Sequence, residues 1–91
     1  MKLRFTKTAL CQIEQALYYI ESRSPEGAAR LAQRTETVIA LLLDHPHLGR
    51  ATSRQGVRRL VVTPYPYVIF YRVTAVEIVV QRFRHAARSS R

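Results

Sequence analysis

Cleaving a phosphodiester with a neighbouring hydroxyl needs a base for the hydroxyl proton, an acid for the leaving oxygen, and cations for the crowded phosphorane. Histidine and arginine are the residue types in this chain that suit such work, and His85 is the acid–base candidate among the arginines of the C-terminal half. An imidazole with a pKa of about 6.5 can move protons at neutral pH. No carboxylate lies near His85 in sequence to orient it. The plainer expectation is that His85 ends a strand and bonds a backbone carbonyl or water. Arg58, Arg72, Arg82 and Arg84 extend the cationic set. Their planar forks bind phosphates and carboxylates without chemistry of their own.

Other reactive residues group less well. His45 and His47 flank Pro46 beside Asp44, but one Cys and three scattered His make no zinc pattern, so a solvated loop and no metal or cofactor are expected. Cys11 sits one residue off an apolar helical stripe and is expected half-buried and inert. A single Cys forms no internal disulfide, which suits a reducing compartment. Gly27, Gly49 and Gly56 lack phosphate-loop spacing.

The charge distribution is lopsided. The formal charge is +9, from 15 Lys and Arg against 6 Asp and Glu. Residues 1–44 carry six basic and five acidic groups, and residues 45–91 carry nine Arg and one acid, Glu77. A solubilising surface needs no such bias, so an anionic partner is expected, either nucleic acid or an acidic protein. With 47% hydrophobic residues and no low-complexity tract, the 91 residues suit one folded domain. There is no apolar run long enough to span a bilayer and no signal-peptide core, so the cytoplasm is the expected location.

The elements that position these residues follow from periodicity. Leu3–Phe5 reads as a short strand. Thr6 caps a helix with apolar positions Leu10, Ile13, Ala16/Leu17 and Ile20, ending near Ser22. Ser24, Pro25 and Glu26 start a second helix, with a stripe at Ala28, Leu31/Ala32, Thr35, Val38/Ile39 and Leu42, stopped by Pro46. The short link makes an antiparallel hairpin. Residues 45–56 read as a loop. Strands follow at 57–63, 67–73 and 76–83, the middle one central and covered on both faces. Thr74-Ala75 reads as a two-residue hairpin link. Alternation puts Tyr67, Ile69, Tyr71 and Val73 on one face and Val68, Phe70 and Arg72 on the other, so these Tyr are core, although Tyr among arginines can also stack bases. The same alternation puts Val76, Ile78 and Val80 on one face with Arg82 and Arg84. Residues 85–91 read as a basic tail that frays.

Four stretches resemble the ParE/RelE superfamily of bacterial type II toxins. They are Phe5-Thr6 with Ala9 and Ile13…Tyr19-Ile20; Ser24-Pro25…Ala28-Ala29-Arg30; Pro46-x-x-Gly49-Arg50; and Arg59-Leu60…Tyr65-Pro66-Tyr67…Phe70-Tyr71-Arg72-Val73 closing on Arg82…His85-Ala86-Ala87-Arg88. The resemblance implies an α+β fold of order βααβββ, a helical hairpin on a small antiparallel-rich sheet. It implies a toxin silenced by a small antitoxin with an acidic segment, in a hetero-oligomer. ParE-like members poison DNA gyrase, and RelE-like members cut messenger RNA on the ribosome. The RelE-like catalytic groups match poorly. The early central-strand Arg falls at about Val68, and no Tyr follows residue 71. The ParE-like reading, without intrinsic catalysis, leads. Its target- or antitoxin-binding residues would be Arg58, Arg59, Arg72, Arg82, Arg84, His85 and Arg88. The alternatives are a RelE-type endonuclease using Arg59, His85 and Arg88, a non-toxic basic nucleic-acid-binding module, and a degenerate toxin that keeps its antitoxin grip.

Overall fold

The structure, a computed structural model, describes residues 1–87. Strand β1 (Lys2–Phe5) leads into helix α1 (Lys7–Glu21) and helix α2 (Pro25–Asp44). Strands β2 (Arg50–Ala51), β3 (Val57–Val61), β4 (Tyr67–Val73) and β5 (Glu77–His85) follow. The order matches the sequence expectation with one addition, the two-residue β2 inside the stretch read as loop.

Both helices start where side-chain chemistry dictates. Thr6 Oγ1 accepts the Ala9 amide at 3.0 Å, and Ser24 Oγ accepts the Gly27 amide at 3.0 Å. Pro25 opens α2, and Glu26 meets the positive end of its dipole. The α2 stripe is buried as expected at Ala28, Leu31, Thr35, Val38, Ile39 and Leu42. On α1 the inward position is Ala9, and Leu10 is 48% exposed. Ile13, Ala16, Leu17 and Ile20 complete that face. Burying Leu31 and Leu42 fully contributes about 1.5–3 kcal/mol each.

The sheet order is β1-β5-β4-β3-β2. The helical hairpin carries the chain from one sheet edge to the other, and a meander brings it back until β5 lies parallel to β1. Strand β4 is central, as its apolar run requires. Tyr67, Ile69 and Tyr71 of β4 join Ile78, Val80 and Phe83 of β5 and the helices in one core. Thr74 Oγ1 accepts the amides of Val76 and Glu77, so the β4–β5 turn spans three residues rather than two.

Two expectations are corrected. The helices cover only one face of β4. On the other face Val68 is buried, Phe70 is half-buried and Arg72 is exposed. Strand β5 is also irregular. Phe70 pairs with Arg82 while Tyr71 pairs with Val80, leaving Gln81 as an extra residue. Such a bulge resets the alternation of faces. Ile78, Val80 and Phe83 therefore all point to the helices, and Arg82 and Arg84 point away. The face shared by Ile78, Val80, Arg82 and Arg84 in a regular strand does not exist.

Candidate functional site

The open sheet face is held in place by a latch behind it. Tyr71 is completely buried in mid-strand. Its hydroxyl donates to the Pro46 carbonyl at 2.9 Å and accepts the Gly49 amide at 2.8 Å. Arg58 Nη1 donates to the Gly49 carbonyl at 2.8 Å. The Pro-x-x-Gly-Arg turn thus clips the end of α2 to the central strand, and it delivers Arg50 and Ala51 to pair with Arg59 and Arg58. A Cβ on Gly49 would lie 2.6 Å from the Arg59 carbonyl oxygen and 2.7 Å from the Tyr71 hydroxyl, so only glycine fits. Gly56, with φ of +79°, turns the following loop back into β3.

Burial pushes the Tyr71 pKa above its ordinary value of about 10, against smaller opposing effects of the Gly49 amide and the Arg58 charge. The folded-state pKa exceeds the unfolded one. The neutral phenol's stabilisation is therefore complete below pH about 10 and is lost as pH rises through the folded value. Tyr71→Phe should cost about 1–3 kcal/mol at pH 7, because the Gly49 amide and Pro46 carbonyl lose their buried partner. Urea unfolding at neutral pH and above pH about 10 checks both statements. In the variant the alkaline loss should shrink, and an unchanged slope would show that other groups cause it.

On the open face, cross-strand register sets the neighbours. Phe70 lies between Arg59 of β3 and Arg82 of β5. Val68 lies between Val61 and Arg84. The 52–56 loop flanks this face and brings Thr52, Ser53 and Arg54 to a shallow concavity of about 390 Å³ with Phe70, Arg82 and Arg84. Among the described residues no carboxylate lines it. Glu77 stands at the other end of β5 and is bound by Arg4 at 3.2 Å.

The structure gathers Arg59, Arg72, Arg82 and Arg84 on this face. Arg72 Nη1 donates to the Gln55 carbonyl, bracing the loop. Arg58 faces the other way, in the latch. His85 is also on the helical side. It meets Tyr67 edge-on with centroids 5.3 Å apart, and its Nδ1 accepts the Ala87 amide at 3.2 Å. Arg59 and His85 are thus separated by the sheet and do not form an acid–base pair. Arg88 lies outside the described residues. Cys11 is exposed rather than half-buried. Sequence reasoning missed Arg54, whose place depends on the loop fold. It did place Phe70 with Arg72, and that was the available signal for an aromatic among the arginines.

Comparison with known proteins agrees with this architecture. The family model described as the ParE toxin of the type II toxin-antitoxin system, parDE, matches residues 3–90. Toxin RelE2 of Caulobacter vibrioides is 39% identical over 84 residues, covering 92% of this chain and 93% of that protein. Y4kP of Sinorhizobium fredii, which carries a provisional toxin name, is 34% identical over 85 residues, covering 92% of this chain and 88% of that protein. A chain of the chromosomal ParDE toxin-antitoxin system from P. aeruginosa superposes with a TM-score of 0.83 at 24% identity, covering 93% of this chain and 95% of that one. YafQ from E. coli superposes with a TM-score of 0.68 at 12% identity, covering 99% and 98%. These two share the fold.

Proposed function

This chain belongs to the ParE toxin family of type II toxin-antitoxin systems, and we propose that it arrests growth by binding DNA gyrase and is silenced by an acidic antitoxin. The observation that carries this reading is the separation of the would-be ribonuclease groups. Arg59 and His85 occupy opposite faces, and His85 is engaged by Tyr67 and the Ala87 amide. The central-strand position that would meet a phosphate is the buried Val68. A poison that holds an enzyme in mid-reaction needs only a binding surface, and the arginine face supplies one.

The antitoxin reading rests on charge and on relatives. Residues 45–91 hold nine Arg and one acid, and a fold neighbour with a TM-score of 0.66 is a chain of the E. coli DinJ-YafQ toxin-antitoxin complex. An acidic segment laid over the arginines would neutralise them and block the target. Among the described residues no helix is long and apolar enough to cross a membrane.

A second reading, ribosome-dependent RNA cleavage, draws support from the name of the RelE2 relative. Induced expression separates the two. The chain should stop growth, co-expression of the antitoxin should restore it, and primer extension should find messages intact. Codon-positioned cuts would replace the gyrase reading with the ribosomal one.

A further inference from the structure

We infer that the free edge of β5 beyond the end of β1 takes an added strand of the antitoxin, whose side chains alternate between an apolar anchor in the cleft beside α1 and carboxylates beside Arg82 and Arg84. This rests on the antitoxin reading and deepens it, by naming the edge that pairs and the chemistry of the segment that pairs with it.

The first support is that β1 and β5 differ in length. Strand β1 pairs with β5 only as far as Phe5 opposite Val80, and β5 runs on to His85. Past Val80 the outer edge of β5 has no neighbouring strand among the described residues. The Tyr67 carbonyl accepts the Val62 amide, so Tyr67 turns its main-chain groups toward β3. His85, its antiparallel partner, therefore turns its own amide and carbonyl outward, and so does Phe83 two residues back. Gln12 Oε1 accepts the Phe83 amide at 2.8 Å, as the carbonyl of a neighbouring strand would. Among the described residues nothing takes the Phe83 carbonyl or the amide and carbonyl of His85. Those three groups form a short template for a guest strand.

The surroundings of that edge set the side-chain chemistry. A cleft of about 580 Å³ opens beside it, between Ala16 and Tyr19 of α1 and Tyr67, Phe83 and His85 of the sheet. Tyr67 and Phe83 stack with centroids 5.1 Å apart and planes 12° apart, which makes its floor apolar. Side chains of a guest strand point alternately to the two sheet faces. Those on the helical side meet these rings. Those on the other side come beside Arg82 and Arg84, and among the described residues neither guanidinium has an ion-pair partner. No carboxylate of the described residues lines the cleft to repel an acidic segment. Arg84 borders both this cleft and the concavity of the open face, so the guest strand is continuous with the arginine surface that the acidic segment covers. The segment that fits is extended and alternates acid, apolar, acid. A helix fits less well, because it leaves the three main-chain groups of the edge unpaired.

The full chain, the purified antitoxin and short labelled peptides tiling it test this. Amide exchange followed by NMR should find the His85 amide fast in the free chain and at least about tenfold slower with antitoxin bound. The peptide that binds should carry the acid–apolar–acid alternation. Gln15→Trp fills the cleft from an exposed position on α1. It should weaken antitoxin binding on the order of a hundredfold and abolish rescue by the antitoxin. It should still arrest growth alone, because the open face is untouched. Cys11→Trp adds an indole to the same helix outside the cleft, and it should bind antitoxin and be rescued like the parent chain. Circular dichroism establishes the fold of both variants, and the exchange measurement needs neither. The inference is overturned, with the antitoxin reading intact, if antitoxin binds Gln15→Trp as tightly as the parent chain or if the His85 amide is no slower in the complex. A free chain that runs as a dimer with a protected His85 amide would give the edge to a second copy and overturn it too. Failure of the antitoxin to bind the parent chain would overturn both.

Discussion

Gly49→Ala should cost about 3 kcal/mol, a fall in Tm of roughly 12–24 °C for a domain of this size. The added methyl has nowhere to go. It meets a backbone carbonyl of β3 at 2.6 Å and the Tyr71 hydroxyl at 2.7 Å. Tyr71 is fully buried and hydrogen-bonded on both sides, so it cannot swing away. The turn must lift off instead, which breaks the Gly49–Tyr71 and Arg58–Gly49 bonds and leaves buried groups unpaired. Gly27→Ala is the natural comparison. There a Cβ would meet Ser24 Oγ at 3.1 Å on a helix, and the change should stay within about 1 kcal/mol of zero. Thermal unfolding of both variants checks the contrast. If Gly49→Ala melts within about 3 °C of the parent chain, the latch does not hold the turn as described.

Reversing Arg82 and Arg84 to Glu should abolish growth arrest while the fold survives. The double change takes the formal charge from +9 to +5, four units from two reversals. An anionic partner then faces repulsion where it had attraction, at a cost of at least about 3 kcal/mol, or on the order of a hundredfold in affinity. Stability should move by less than about 1 kcal/mol, because both side chains are half-exposed and have no partner among the described residues. Circular dichroism and Tm establish the fold, and a growth curve after induction reads the toxicity. Full arrest by a well-folded double variant would move the functional surface elsewhere, with the cleft that Tyr19, Tyr67, Phe83 and His85 line on the helical side the next place to look.

Much of this was legible in the residues. Thr6, Ser24 and Pro25 announce two helix starts, and the α2 stripe from Ala28 to Leu42 is buried position for position. Period-two alternation gave the core face of β4 correctly. It failed on β5, because a single bulged residue reverses parity and nothing in Val80-Gln81-Arg82 marks one. That failure matters most for function, since it decides whether Arg82 and Arg84 lie under the helices or in the open. The two-residue β2 was missed because so short a strand exists only through its pairing with Arg58 and Arg59. His85 was readable as a strand end, but its place across the sheet from Arg59 required the register. The Pro-x-x-Gly-Arg turn was visible as a pattern, and its reason, a buried Tyr hydroxyl more than twenty residues away, was not.

The most direct test of the central claim is a supercoiling assay with purified gyrase, relaxed plasmid and the purified full chain. The account predicts loss of supercoiling or accumulation of trapped cleavage complexes with the parent chain, and neither with the Arg82→Glu and Arg84→Glu variant. Undiminished supercoiling at toxin in excess over gyrase, from a preparation that still arrests growth when expressed, would contradict it.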